Sequence, residues 1–275
     1  MSVLSGTDGV VDGVNTVQKW SINSTADLQA YVASNTKQGT VRVAGNKDWT
    51  GTFEAYGHTP IHFPGDSFTA TLSIDETNGV VAAAICDEVV IEWDIEAGAI
   101  IKYTTSFSAN ADLVFGAAAA TDVTVPVVFS SIGTKLESAE PIAVPVFTEI
   151  INIRTMTLTI TRSNQAYVSS GTAGSTRRVK GNLDYTFSYT LYEADPTLLI
   201  AANAVKHLKV FVNATLFWEL KWVRFGEVSN LEVDIEGATL VGPTQSAGME
   251  GFTDVAGTAT EGYIKDPATT TLWPV

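Results

Sequence analysis

From Trp49 the chain alternates strictly: Trp49, Gly51, Phe53 and Ala55 fall on one side of an extended backbone, Thr50, Thr52, Glu54 and Tyr56 on the other. A period of two predicts a strand with one face in the core and one in water. The pattern returns with Tyr185, Phe187, Tyr189 and Leu191 against Thr186, Ser188, Thr190 and Tyr192. A third alternating run spans Glu88 to Glu96, with Val89, Ile91, Trp93 and Ile95 on one side and Glu88, Val90, Glu92, Asp94 and Glu96 on the other. Further strands are expected at Thr40–Ala44, Ser67–Ile74, Lys209–Asn213 and Ala214–Phe225, the last rich in aromatic and large apolar residues. Gly45-Asn46-Lys47-Asp48 supplies turn chemistry between two of them. One sizeable helix is predicted, over Thr197–Leu208, where Asp195 can cap, Pro196 can take the first turn and Leu, Ile, Ala and Val form an apolar stripe. Thr25–Ala33 is the only other helical candidate.

Two of these runs belong to a repeat. Gln29–Tyr56 and Gln165–Tyr192 align without a gap at a shift of 136 positions and agree at 14 of 28 residues. Four of the mismatches are like for like: Ala33/Ser169, Trp49/Tyr185, Thr52/Ser188 and Phe53/Tyr189. A second echo, Glu92-Trp93-Asp94-Ile95-Glu96 against Glu232-Val233-Asp234-Ile235-Glu236, lies at a shift of 140. A period this long reads as duplicated domains rather than a solenoid. The expected organisation is an extended N-terminal arm over 1–17, a first β domain with its linker over 18–140, and a second over 141–275 with an irregular C-terminal tail.

Composition narrows the function. The chain has 275 residues, 16 basic against 30 acidic, and a net charge of −14. Such a protein does not wrap nucleic acid by neutralising phosphates. Residues 1–140 hold 17 acids and 6 bases, and 141–275 hold 13 acids and 10 bases, so the halves share a pattern but not a surface. The single cysteine, Cys86, excludes an intrachain disulfide and a multi-cysteine metal site, and its apolar run predicts a small buried side chain. No secretory signal and no apolar run of spanning length is visible, so the expectation is a soluble intracellular product or one that leaves the cell inside a larger particle.

Four carboxylates on one face of one strand repel each other, so that face must meet water or cations. It reads as an ordinary solvated sheet face, as the paired acids of a glycosidase, or as a symmetric lining, since the acid row recurs as Glu232, Asp234 and Glu236. The recurrence favours the lining over a single active site. His58 and His62, four apart in a Pro-bearing loop, could take a metal with Asp66, but the second unit has no counterpart, and a loop pair without function is the plainer reading. His207 is expected near a helix end, where a cation is favourable. No G-x-S-x-G, G-x-G-x-x-G, Walker A or H-E-x-x-H motif occurs. The one basic cluster, Arg177, Arg178 and Lys180, reads as a contact to the acidic surface of a neighbouring subunit or as a solvated strand edge.

A duplicated, acidic, Thr/Ala/Val-rich β chain with GNKDWTGTFEAYG echoed as GNLDYTFSYTLYE resembles the tail tube proteins of tailed bacteriophages. The resemblance covers about residues 20–114 and 150–241. It implies two tandem β-sandwich domains, each with at most a short flanking helix, and rings whose inner strands form a barrel that conducts DNA. Because most members of that family carry one domain per chain and assemble as hexamers, a duplicated chain implies a homotrimer with pseudo-sixfold symmetry. Glu92, Asp94, Glu96, Glu232, Asp234 and Glu236 are then expected to face the lumen, and Arg177, Arg178 and Lys180 to lie between subunits. The same resemblance implies a virion protein assembled in the host cytoplasm, with no enzymatic activity, cofactor, metal or membrane partner. Its partners would be further copies of itself, a tail terminator and baseplate or tip proteins, with DNA passing through unbound. A capsid decoration or surface-adhesion module fits two tandem β domains equally well.

Overall fold

The computed structural model describes residues 11, 14, 16–33, 39–74, 78–117, 128–172, 174–192, 198–229, 232–234 and 239–249, and two-residue strands at 252–253, 259–260, 264–265 and 272–273; for 232–241 and 252–273 only the backbone is described. The chain is mainly β, built on a 15-stranded sheet in which every strand pair is antiparallel. Its first strands are β1 (Val17–Tyr31), β2 (Val41–Tyr56), β3 (Ser67–Ser73), β4 (Gly79–Asp94), β5 (Lys102–Ala109) and β6 (Val114–Ala117). Next come β7 (Leu136–Ala139), β8 (Thr148–Ile150), β9 (Ile153–Arg162), β10 (Gln165–Tyr167), β11 (Arg177–Val179) and β12 (Leu183–Leu191). Then follow β13 (Val205–Phe211), β14 (Phe217–Ser229), β15 (Glu232–Asp234), β16 (Thr239–Val241) and β17 (Thr244–Met249); β10 with β11 and β15 with β16 form separate two-stranded sheets. The main path runs β1-β2-β5-β4-β9-β12-β17-β14-β13-β7-β8.

The repeat seen in the sequence is also a repeat of pairing. Strands β1-β2-β5-β4-β3 are neighbours in that order, and so are β9-β12-β17-β14-β13. Ser24 faces Trp49 in the first hairpin and Ile160 faces Tyr185 in the second, positions 136 apart on both strands. Beyond the hairpin bulge, Gln29 faces Val43 and Gln165 faces Val179, again 136 apart. Thr50 opposite Ser108 matches Thr186 opposite Gly248, and Cys86 opposite Phe107 matches Phe225 opposite Ala247. Cys86 and Phe225, 139 apart, are held by the same loop geometry. Cys86 accepts from Gly65 N at 2.7 Å and donates to Asp66 O at 2.9 Å; Phe225 accepts from Asn203 N at 2.8 Å and donates to Ala204 O at 2.9 Å. Gly65 and Asn203 both have positive φ, 94° and 66°, a region that Asn enters more readily than most side chains.

The two five-strand sets share one sheet. The second half of β4 pairs with β9, from Glu88 opposite Thr161 to Asp94 opposite Thr155. Asn164 reinforces the seam by donating through Nδ2 to Cys86 O at 2.9 Å and to Asp87 Oδ1 at 2.7 Å. On one side of this sheet the predicted apolar positions close into the core: Trp49, Phe53, Ala55, Ile91, Trp93, Tyr185, Phe187, Tyr189 and Leu191 are all buried, and so is Cys86. Burial pushes the Cys86 thiol well above its ordinary pKa, with Asp87 adding to the effect.

Two helical expectations are corrected. The segment read as a helix over Thr197–Leu208 carries none among its described residues; 198–204 is irregular and β13 begins at Val205. The positive φ of Asn203 breaks any helical run, and Leu208 and Val210 are buried opposite β14, which the strand spacing permits. Thr25–Ala33 is strand and coil, most of it in β1. Within the expected arm, Val11 and Val14 are 2% exposed, and Val11 bridges to Leu72, so that part of the arm belongs to this chain's own core. Strand β7, inside the expected first domain, pairs with β13 of the second set.

Candidate functional site

The face of the sheet opposite the core is its most distinctive surface. Directly opposed residues share a face, so the registers can be followed across strands as rows. One row reads Thr52, Ser106, Glu88, Thr161 and Asp184; the next Glu54, Thr104, Val90, Thr159 and Thr186; the third Tyr56, Lys102, Glu92, Thr157, Ser188 and Ser246. Asp94, Thr155, Thr190 and Thr244 continue it. The face is therefore mainly a hydroxyl surface with carboxylates set into it, interrupted by the half-buried Val90, and it runs from β2 through the β4–β9 seam to β17. Strand β9 supplies the clearest part, because Thr155, Thr157, Thr159 and Thr161 alternate with the buried Met156, Leu158 and Ile160. That alternation was the sequence signal for these residues, and the strand expectations above did not include it.

The expected acid row is more tempered than a bare line of charges. Glu92 pairs with Lys102 at 3.0 Å, and its hydrogen bond to that ammonium raises the Lys102 pKa. Lys102 also lies 3.9 Å from Glu54, which Lys19 approaches at 3.1 Å. Asp94 Oδ1 accepts from Ala97 N at 3.0 Å and so closes the turn after β4, and Glu96, in that turn, pairs with Arg154. Glu88 and Asp94 carry the unneutralised part of the row, neither having an ion pair among the described residues. Of the second row, Glu232 and Asp234 lie in β15, which pairs with β16, but their side chains, and Glu236 altogether, lie outside the described residues.

The basic cluster connects the two strand sets within the chain. Arg178 grips Asp48 with both terminal nitrogens, at 3.0 and 2.8 Å, and donates to Ala109 O at 2.9 Å. Arg177 donates to Asn110 O. Thr176 donates to Lys47 O through both its backbone N, at 3.0 Å, and its hydroxyl, at 2.8 Å. Lys47 N donates to Gly174 O at 2.9 Å, and Ser175 Oγ meets Asp112 Oδ1 at 2.7 Å. Lys180 is exposed.

The histidines pack against aromatic rings. His62 stacks on Phe68 with ring centroids 3.8 Å apart, and His58 meets Phe129 edge-on at 5.1 Å. Asp66 Oδ2 accepts from Phe63 N at 2.8 Å. Among the described residues no three His, Cys, Asp or Glu side chains come together to hold a metal. His207 is 5% exposed in β13, and burial, helped by Lys221, lowers its pKa. The described residues contain no helix long and apolar enough to cross a membrane. No protein-family model and no curated protein matches the chain.

Proposed function

We propose that the protein is a structural subunit of a phage virion: copies join into rings, the rings stack into a tail tube, and the hydroxyl-carboxylate face lines the channel through which DNA leaves. The observation that carries this reading is the predominantly polar face shared by two equivalent strand sets in one sheet. A conduit for DNA needs a wall that holds water and does not grip phosphate. Threonine and serine hydroxyls keep the wall hydrated, and embedded carboxylates repel the backbone at short range. Lys102 and Lys19 sit on or beside this face, but both are drawn to glutamates, which removes them as phosphate anchors.

Two equivalent strand sets per chain fit a ring of three chains with sixfold pseudo-symmetry. The tube reading needs neither cofactor nor catalytic group; tail terminator and baseplate or tip proteins are its natural partners at the tube ends. Negative-stain micrographs of purified protein at high concentration provide the test. Rings or stacked tubes are expected; a protein that remains a single chain at every concentration, with no tube under any seeding condition, contradicts the proposal, and a small closed oligomer without stacking favours a capsid decoration role.

A further inference from the structure

The contact between the two strand sets is made once inside the chain, and the sequence carries its other half unused. Arg178 of the second set grips Asp48 of the first, and Thr176 of the second donates to the Lys47 carbonyl of the first. At a shift of 136 the same residues recur as Arg42, Asp184 and Thr40. Arg42 belongs to the first set and Asp184 to the second, and both are exposed with no ion pair among the described residues. Their roles are reversed relative to the internal contact: here the first set holds the arginine and the second the acid.

The strand edges tell the same story. The second half of β4 has β9 beside it. In the equivalent stretch of β14, Glu227–Ser229, Val228 and Ser229 pair with β17 on one side, and no described strand lies on the other. Strand β1, the equivalent of β9, pairs only with β2 among the described strands. On β9, Met156, Leu158 and Ile160 are at most 1% exposed. Their equivalents on β1 are Trp20 and Ile22, half-buried, and Ser24, exposed. An uncovered strand edge of this length is a template for another strand.

We propose that a second copy of this chain fills both vacancies: β1 of one copy adds to the β14 edge of the next, and Arg42 of the first grips Asp184 of the second. This deepens the ring-assembly reading and rests on it. Carrying the internal seam across with shifts of 136 and 139 sets the register as Thr25 opposite Glu227, Ser24 opposite Val228 and Asn23 opposite Ser229. An arginine fork on a carboxylate fixes that register as well as adding affinity.

The test uses the full chain. Arg42→Asp and Asp184→Arg, made singly, leave the internal Arg178–Asp48 contact intact and should each weaken assembly about tenfold or more per contact in sedimentation velocity, with unchanged circular dichroism. The double variant Arg42→Asp/Asp184→Arg restores the pair in reverse and should recover assembly. Register is read separately with Ser24→Cys/Val228→Cys and Asn23→Cys/Ser229→Cys, since adjacent opposed pairs alternate in geometry and one of the two suits a disulfide. Oxidation should link copies in at least one of these and not in the offset Asn23→Cys/Glu227→Cys control. Wild-type rings that ignore both single charge variants, or that form no in-register link, overturn this contact and leave the tube reading standing. A wild type that never associates overturns both.

Discussion

At the scale of single residues, the two strand sets solve one packing problem in opposite ways. Gly51 lies opposite Phe107 in the first set, and its counterpart Phe187 lies opposite Ala247 in the second. A Cβ on Gly51 would sit 2.5 Å from the Phe107 ring, so the small residue there is required by the large one across the strand pair. The repeat thus preserves the volume of a pair rather than either residue. Phe107→Ala alone should cost about 3–5 kcal/mol in urea unfolding. Adding Gly51→Phe, which copies the second set's arrangement, should recover part of that loss; a double variant no more stable than Phe107→Ala shows that the two pairs are not equivalent. A second exchange follows the same logic. Thr105 is buried opposite Phe53 with its hydroxyl unpartnered, whereas its counterpart Gln245 is buried opposite Tyr189 and accepts from that phenol at 2.7 Å.

At the scale of elements, alternation was the legible signal. The core faces around Trp49, Tyr185 and Trp93 could be read residue by residue because a half-buried strand writes its two faces into sequence. Segment 198–208 was illegible for a physical reason. Asp-Pro followed by Leu, Ile, Ala and Val satisfies helix-start chemistry, but pairing with β14 and β7 decides the outcome, and pairing partners are distant in sequence. The polar face was legible strand by strand, in the rows Glu88–Asp94 and Thr186–Thr190; its continuity across the β4–β9 seam was not, since register between segments 60 or more residues apart leaves no local trace. Arg178 was readable as a contact residue, while its partner Asp48 was hidden in an apparent turn. The strand assignment of β13 has a consequence for pH. A histidine at a helix C-terminus would have a raised pKa; buried in β13, His207 has a lowered one, caused first by desolvation and then by Lys221, with Glu219 opposing. The unfolded chain then binds the extra proton near its ordinary pKa of 6.5, so His207's contribution holds above that pH and is lost as pH falls below it. The urea midpoint should drop between pH 7.5 and pH 5.5, and His207→Gln should flatten that drop. A midpoint that rises on acidification, or a slope untouched by the substitution, contradicts the burial of this ring.

At the scale of the whole molecule, the sheet is asymmetric in a way that invites assembly. One face is closed by aromatic side chains, the other is hydroxyl and carboxylate, and the stretches that would continue the pattern, β1 and the end of β14, have no strand beside them on one side among those described. A net charge of −14 disfavours attraction of nucleic acid, and in the proposed tube the unneutralised carboxylates of the polar face would put part of that charge where passing DNA meets it. In the proposed ring, duplication within one chain would supply half of the contacts before any two copies meet. Assembly then has only the remaining half to form. The most direct measurement is a cryo-electron microscopy reconstruction of the assembled protein. The account predicts three chains per ring, with Thr157, Thr159 and Glu92 facing a central channel and β1 of each chain beside β14 of the next; a ring whose aromatic side faces the channel, or whose chains touch through other surfaces, would contradict it.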